Sequence, residues 1–194
     1  MQDTARRLGI HLELLTVGWN AIEAVVAISA GIAAGSVALV AFGLDSVIEV
    51  SAALVVLWQF LGAPEDRERR ALRLIGACFF ALAGYVTLSS LIDLATRSEP
   101  DASTVGIILT AVSLVVMPAL AWAKRRAGQH MGSRTLVADS TQTQLCAYLS
   151  ATTLAGLAAN RAFGWWWADP LAALVIAAVA IREGREAWRG DTCC

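Results

Sequence analysis

Six apolar runs, each long enough to cross a bilayer as a helix, occupy most of this 194-residue chain. A helical span needs about 20 apolar residues. The runs fall at about Leu12–Ala34, Val37–Leu61, Leu72–Thr96, Thr104–Ala123, Arg134–Ala159 and Pro170–Trp188. Lipid offers no partner to a backbone N–H or C=O, so only helices or a closed barrel can span it. Continuous rather than alternating apolarity argues against a barrel. The expected fold is an all-α integral membrane protein of six transmembrane helices. Composition agrees: 57% of residues are hydrophobic and 16% charged, against about 45–50% and about 25% in a soluble domain.

Loop charges set the expected orientation. Arg6 and Arg7 precede the first run, Arg67, Arg69, Arg70 and Arg73 fill the second connection, Lys124, Arg125, Arg126 and Arg134 flank the fourth run, and Arg182, Arg185 and Arg189 close the sixth. The first connection carries no charge, the third sets Arg97 against Glu99 and Asp101, and the fifth holds Arg161 and Asp169. Positive residues stay inside, so both termini are expected in the cytoplasm. Trp165, Trp166 and Trp167 then suit an aromatic belt at the outer interface. Met1–Arg7 is polar and no short apolar core with a cleavage site follows, so the first run is expected to remain in the protein. The chain reads as one transmembrane domain over 1–194, placed by its compact build in a prokaryotic plasma (inner) membrane. A net charge of −1 gives no reason to expect a nucleic-acid partner. No nucleophile–base–orienter set suggests an enzyme.

The chemistry sits inside the second run, where Asp45 and Glu49 are four residues apart. On a helix they stack one turn apart on one face. At the bilayer centre each acid costs about 2.5–3.5 kcal/mol or more, and such residues mark ion or proton paths. Two carboxylates that close in a low dielectric call for a proton or a cation between them. The fifth run has a polar centre, 139–144, and Asp139, Gln142 and Cys146 share a helix face there. Convergence of Asp45, Glu49, Gln142 and Cys146 would give the tetrahedral arrangement zinc favours, and a thiolate would draw it toward softer ions. Asp139 would then ligate or buttress the others.

Other residues carry two readings each. Glu23 faces a vestibule, pairs with an arginine or joins the pathway. Gly31 and Gly35 draw the first two helices together or shape the turn. Asp169 is expected to cap the helix that Pro170 opens. Cys78 reads as packing, Pro118 as a kink, and Cys193-Cys194 as a free tail or a cytoplasmic metal-capture pair.

The run Ser36-Val-Ala-Leu-Val-Ala-Phe-Gly-Leu-Asp45-Ser-Val-Ile-Glu49 resembles the second transmembrane helix of the cation diffusion facilitator family, roughly S-x-A-L-x-A-x-x-x-D-S-x-x-[DE]. Leu136-Val-Ala-Asp139-Ser-Thr-Gln142-Thr-Gln-Leu-Cys146 is similar to its fifth helix, A-D-x-x-H-x-x-x-D, and Asp169-Pro170 also fits. The resemblance implies a dimeric exporter of Zn²⁺ or a similar divalent ion, driven by inward proton flow, with the ion between helices two and five. It departs from the family at Gln142, where the histidine stands, and at Cys146, where the aspartate stands. The cytoplasmic domain that follows the sixth helix in the family is not expected. An acid in helix one, here Glu23, marks the short relatives. With His11 and His130 at or beyond span ends, proton coupling would fall to Asp45, Glu49 or Cys146. No prosthetic group is implied; the metal is cargo. The alternative is a non-transporting membrane protein that binds metal as a sensor or assembly partner.

Overall fold

The computed structural model describes residues 2–60 and 65–189, which form six helices and no strand among the described residues. They are α1 (Gln2–Ala34), α2 (Val37–Phe60), α3 (Glu65–Thr96), α4 (Thr104–Met131), α5 (Arg134–Phe163) and α6 (Ala168–Arg189). Four of them, over Arg7–Ala34, Val37–Trp58, Gly76–Thr96 and Thr104–Met131, are long and apolar enough to cross a membrane. The polar stretch 139–144 of α5 and the charges of 182–186 in α6 account for the other two. Both pack into the same bundle. Cys193, Cys194 and the expected end of the second span at Leu61 lie outside the described residues.

The helices run longer than the apolar runs because charged turns continue them beyond the hydrocarbon. α4 is the informative case: it passes through Pro118 to Met131, eight residues past its expected end. Ser103 caps its start, accepting from Gly106 N–H at 3.0 Å, and left-handed Gly132 ends it. Lys124, read as a loop charge, therefore lies in a helix interior and is fully buried. Cys78 corrects the packing expectation in the other direction, since it is exposed.

α2 is the central helix, packed against α1, α3, α5 and α6, while α1 also meets α4, α4 meets α5, and α3 meets α6. Small residues permit this. Ala27, Ala38, Ala41, Ala53, Ala173 and Ala180 are wholly buried, and with no hydrophobic drive between helices in lipid, close backbone approach supplies the contact energy. Gly31 and Gly35 divide the two roles proposed for them. A Cβ on Gly31 would lie 2.8 Å from Val40 N, so this position is where α1 and α2 touch. Gly35 has φ +65° and makes the turn.

The first, third and fifth connections gather at one end of the bundle. Asp101 N–H donates to Ala34 O at 2.8 Å, and Asn160 Nδ2 donates to Pro100 O at 2.7 Å. Trp165 and Trp167 stack there at 5.1 Å, both exposed, as an aromatic belt requires. Asp169 is a correction. It sits inside the first turn of α6 and caps α2 instead: Ser36 Oγ donates to Asp169 Oδ1 at 2.5 Å and Ala38 N–H donates to Oδ2 at 3.2 Å. Ser36 in turn accepts from Leu39 N–H at 3.1 Å. A carboxylate suits the positive end of a helix, and this one ties the starts of α2 and α6 together. Asp169→Ala should lower stability by about 1–2 kcal/mol, the usual cost of a lost cap with a buried partner. Thermal unfolding in detergent measures it; an unchanged midpoint would remove Asp169 from the scaffold.

Candidate metal centre

α1, α2, α4 and α5 enclose the polar interior. Each contributes residues at helical spacing: Glu13, Thr16, Asn20 and Glu23 from α1; Asp45, Ser46 and Glu49 from α2; Thr110, Ser113 and Lys124 from α4; Asp139, Thr143 and Cys146 from α5. All are buried. Recurrence at three and four residues puts each set on one inward face.

Glu49 is the least satisfied group in this interior. It is 1% exposed, and neither carboxylate oxygen has a hydrogen-bond partner. The Cys146 thiol and the Thr143 hydroxyl lie beside it. Cys146 is a free thiol, 2% exposed. Asp45, one turn away on α2, is 8% exposed and within electrostatic reach of Glu49, Glu23 and Glu183. The structure thus brings Glu49 and Cys146 together across α2 and α5, with Asp45 above them. Gln142 is half-buried one turn before Cys146 and makes no hydrogen bond to the acids. Among the described residues, no three His, Cys, Asp or Glu side chains converge closely enough to hold an ion. The acids form a line along α2 rather than a closed shell.

The two flanking acids are engaged. Glu23 accepts from Ser46 Oγ at 2.8 Å and from Ser113 Oγ, which joins α1, α2 and α4; none of its hydrogen bonds is to an arginine. Asp139 accepts from Lys124 Nζ, so of its two expected roles the buttress is the one its contacts fit. Lys124 also donates to Glu13 Oε2 at 3.1 Å and to Thr143 Oγ1 at 3.2 Å.

Sequence reasoning passed over Glu13, Thr143, Lys124 and Glu183. Glu183 on α6 is half-buried, with Oε1 buried and unpartnered. The signal for Lys124 was the α4 register: Thr110, Ser113, Met117, Ala121 and Lys124 continue one buried stripe. The signal for Glu13 was the same stripe on α1, ten residues before Glu23.

Chemically, a carboxylate and a thiol at a helix crossing are donor types that bind cations once deprotonated. An unpartnered buried charge is costly, and a proton or a cation relieves it without adding a protein contact. A mixed carboxylate–thiolate set suits borderline to soft divalent ions.

Residues 72–189 match the model of the cation efflux transmembrane domain. An uncharacterized transporter of Synechocystis sp. is 28% identical over 151 residues, covering 72% of this chain and 49% of that protein. The cation-efflux pump FieF of Shewanella oneidensis is 34% identical over 80 residues, covering 41% of this chain and 27% of the pump. The aligned stretches span about half or less of each relative's length.

Proposed function

This chain belongs to the cation efflux family, and from that premise we propose that it exports divalent transition-metal ions of the Zn²⁺ class in exchange for protons. The observation that carries the reading is Glu49: a carboxylate buried at the centre of the bundle, both oxygens unpartnered, beside a buried free thiol. Asp45 and Glu49 from α2, with Cys146 and Gln142 from α5, would close around the ion as the helices shift. The spread of these groups in the present state is what a carrier needs in one of its states, since a shell closed throughout would not release its cargo. A cation entering displaces protons from carboxylate or thiol, so binding and proton release are linked. Alternating access around a midplane site then moves the two in opposite directions.

Both termini lie in the cytoplasm in this reading, the positively charged ends of the helices facing inward. The membrane is the inner membrane of a bacterium, and the assembly is a homodimer held through its helices. The test is Zn²⁺ uptake into proteoliposomes under an imposed pH gradient. Gradient-driven entry is expected, reversing direction when the gradient is reversed. Stoichiometric Zn²⁺ binding in detergent with no flux from verified folded protein would replace the exporter with a sensor or assembly partner.

A further inference from the structure

The bundle already contains a cation, next to the site proposed for the transported one. Lys124 is fully buried and spends its donors on Glu13 of α1 and on Asp139 and Thr143 of α5. Thr143 lies one turn before Cys146 on the same face of α5 and beside the Glu49 carboxylate. The hydroxyl that accepts from the lysine therefore stands between it and Glu49. The ammonium acts electrostatically on Glu49 as well as on Asp139 and Glu13. Glu13 is itself short of a partner, since Oε1 is buried and unbonded.

This is not the balance of a structural ion pair. Such a pair matches one cation to one anion and satisfies both, because leaving a buried charge uncompensated is strongly destabilising. Here one lysine is shared among three carboxylates on three helices, and two of them keep unpartnered oxygens. A second cation would complete the set, and Glu49 is where the proposed shell leaves room for it.

We propose that Lys124 is the internal counter-cation of the transport site: it offsets Glu49 when no ion is bound and opposes retention of the ion once bound. This rests on the reading that Glu49 belongs to the metal shell. The physical ground is the Coulomb energy of a fixed positive charge near a divalent ion. At an effective dielectric of about 20 and a separation of several ångströms it weakens binding by well over tenfold. The lysine thereby lowers affinity to a level from which the ion can leave. When the ion enters, the ammonium leans on Glu13 and Asp139, which have capacity for it.

The full chain in detergent tests this by calorimetric titration with Zn²⁺, and with Cd²⁺ where Zn²⁺ gives no signal. Lys124→Gln is expected to bind at least about tenfold tighter than the native chain. Glu13→Gln, which releases the lysine toward Glu49, is expected to bind more weakly. The two variants break the same 3.1 Å pair, so a lysine that only clamps helices would shift both in one direction, toward weaker binding. That result, or no shift in either, overturns the proposal. Should Lys124→Gln fail to fold, the double variant Lys124→Gln/Glu13→Gln removes both charges of the pair. Removing Lys124 takes away the fixed positive charge that opposes the ion, so tighter binding than native is expected, and equal or weaker binding overturns the idea. Failure of the native chain and every variant to bind either ion brings down the transport reading together with this one. Binding with unshifted or uniformly weakened variants brings down the lysine proposal alone.

Discussion

Glu49→Gln is expected to abolish metal flux while leaving the protein at least as stable as the native chain. The two halves of this outcome share one cause. In the native structure the carboxylate is 1% exposed with neither oxygen hydrogen-bonded, a state that costs folding free energy of about 1–3 kcal/mol or more. Glutamine has the same shape and no charge, so the burial penalty falls. The amide also brings two donors that Glu49 lacks, and Thr143 can accept one. In the proposed shell, loss of the charge at Glu49 removes a strong attraction for a divalent ion. At about 1.4 kcal/mol per tenfold, a charged ligand worth a few kcal/mol corresponds to a hundredfold or greater fall in binding. Flux in proteoliposomes and thermal unfolding in detergent, on one preparation, read both halves. A variant that is inactive but less stable would point to a structural acid. One that is stable and fully active would take Glu49 out of the pathway. Sites kept for function at the expense of stability behave in the expected way.

The six-helix order was legible from the apolar runs because it follows from lipid alone. No solvent in the hydrocarbon can satisfy a backbone, so length and hydrophobicity decide where helices go. The boundaries were less legible: α4 continues to Met131 and α1 begins at Gln2, since amphipathic turns beyond the hydrocarbon carry no apolarity signal. Lys124 shows how this misleads. Adjacent to Arg125 and Arg126 it reads as part of a basic loop, yet its register puts it on the buried face, where Glu13 and Asp139 await it.

The acids divide in the same manner. Asp45 and Glu49 stand out because they interrupt an apolar run, and the structure buries both. Their surroundings could not be read from spacing: which of Gln142, Thr143 and Cys146 meets Glu49 depends on how α5 rotates against α2. That rotation is set by the packing of the whole bundle, which residue spacing within one helix does not encode. Asp169 is a case of right chemistry on the wrong helix. An acid before Pro170 is a helix cap, but the helix it caps is α2, 131 residues away in the chain. The Asp45–Glu49 motif also lies outside the segment that identifies the family, residues 72–189. The family assignment and the acid pair therefore stand on different parts of the chain, while Gln142 and Cys146 lie within the matched segment.

Cys146→Asp should change which ion is moved rather than whether one is. In the proposed shell the Cys146 thiol is a soft donor beside a hard carboxylate, a pairing that favours Cd²⁺ relative to what oxygens alone would do. Replacing sulfur with a carboxylate hardens the site, so the ratio of Cd²⁺ to Zn²⁺ flux should fall by roughly tenfold or more, with Zn²⁺ flux retained. The same change places a third acid in the line with Asp45 and Glu49. Mutual repulsion in the metal-free protein should lower its unfolding temperature, and added Zn²⁺ should restore it by binding the folded state alone. The metal-induced shift in unfolding temperature should thus be larger than in the native chain. Cys146→Ala separates ligation from packing. If the thiol is a ligand, Cd²⁺ flux falls further than Zn²⁺ flux in this variant too. If Cys146 only fills space, as a small buried hydrophobe does, the ratio is the same in all three proteins and α5 contributes no sulfur to the shell.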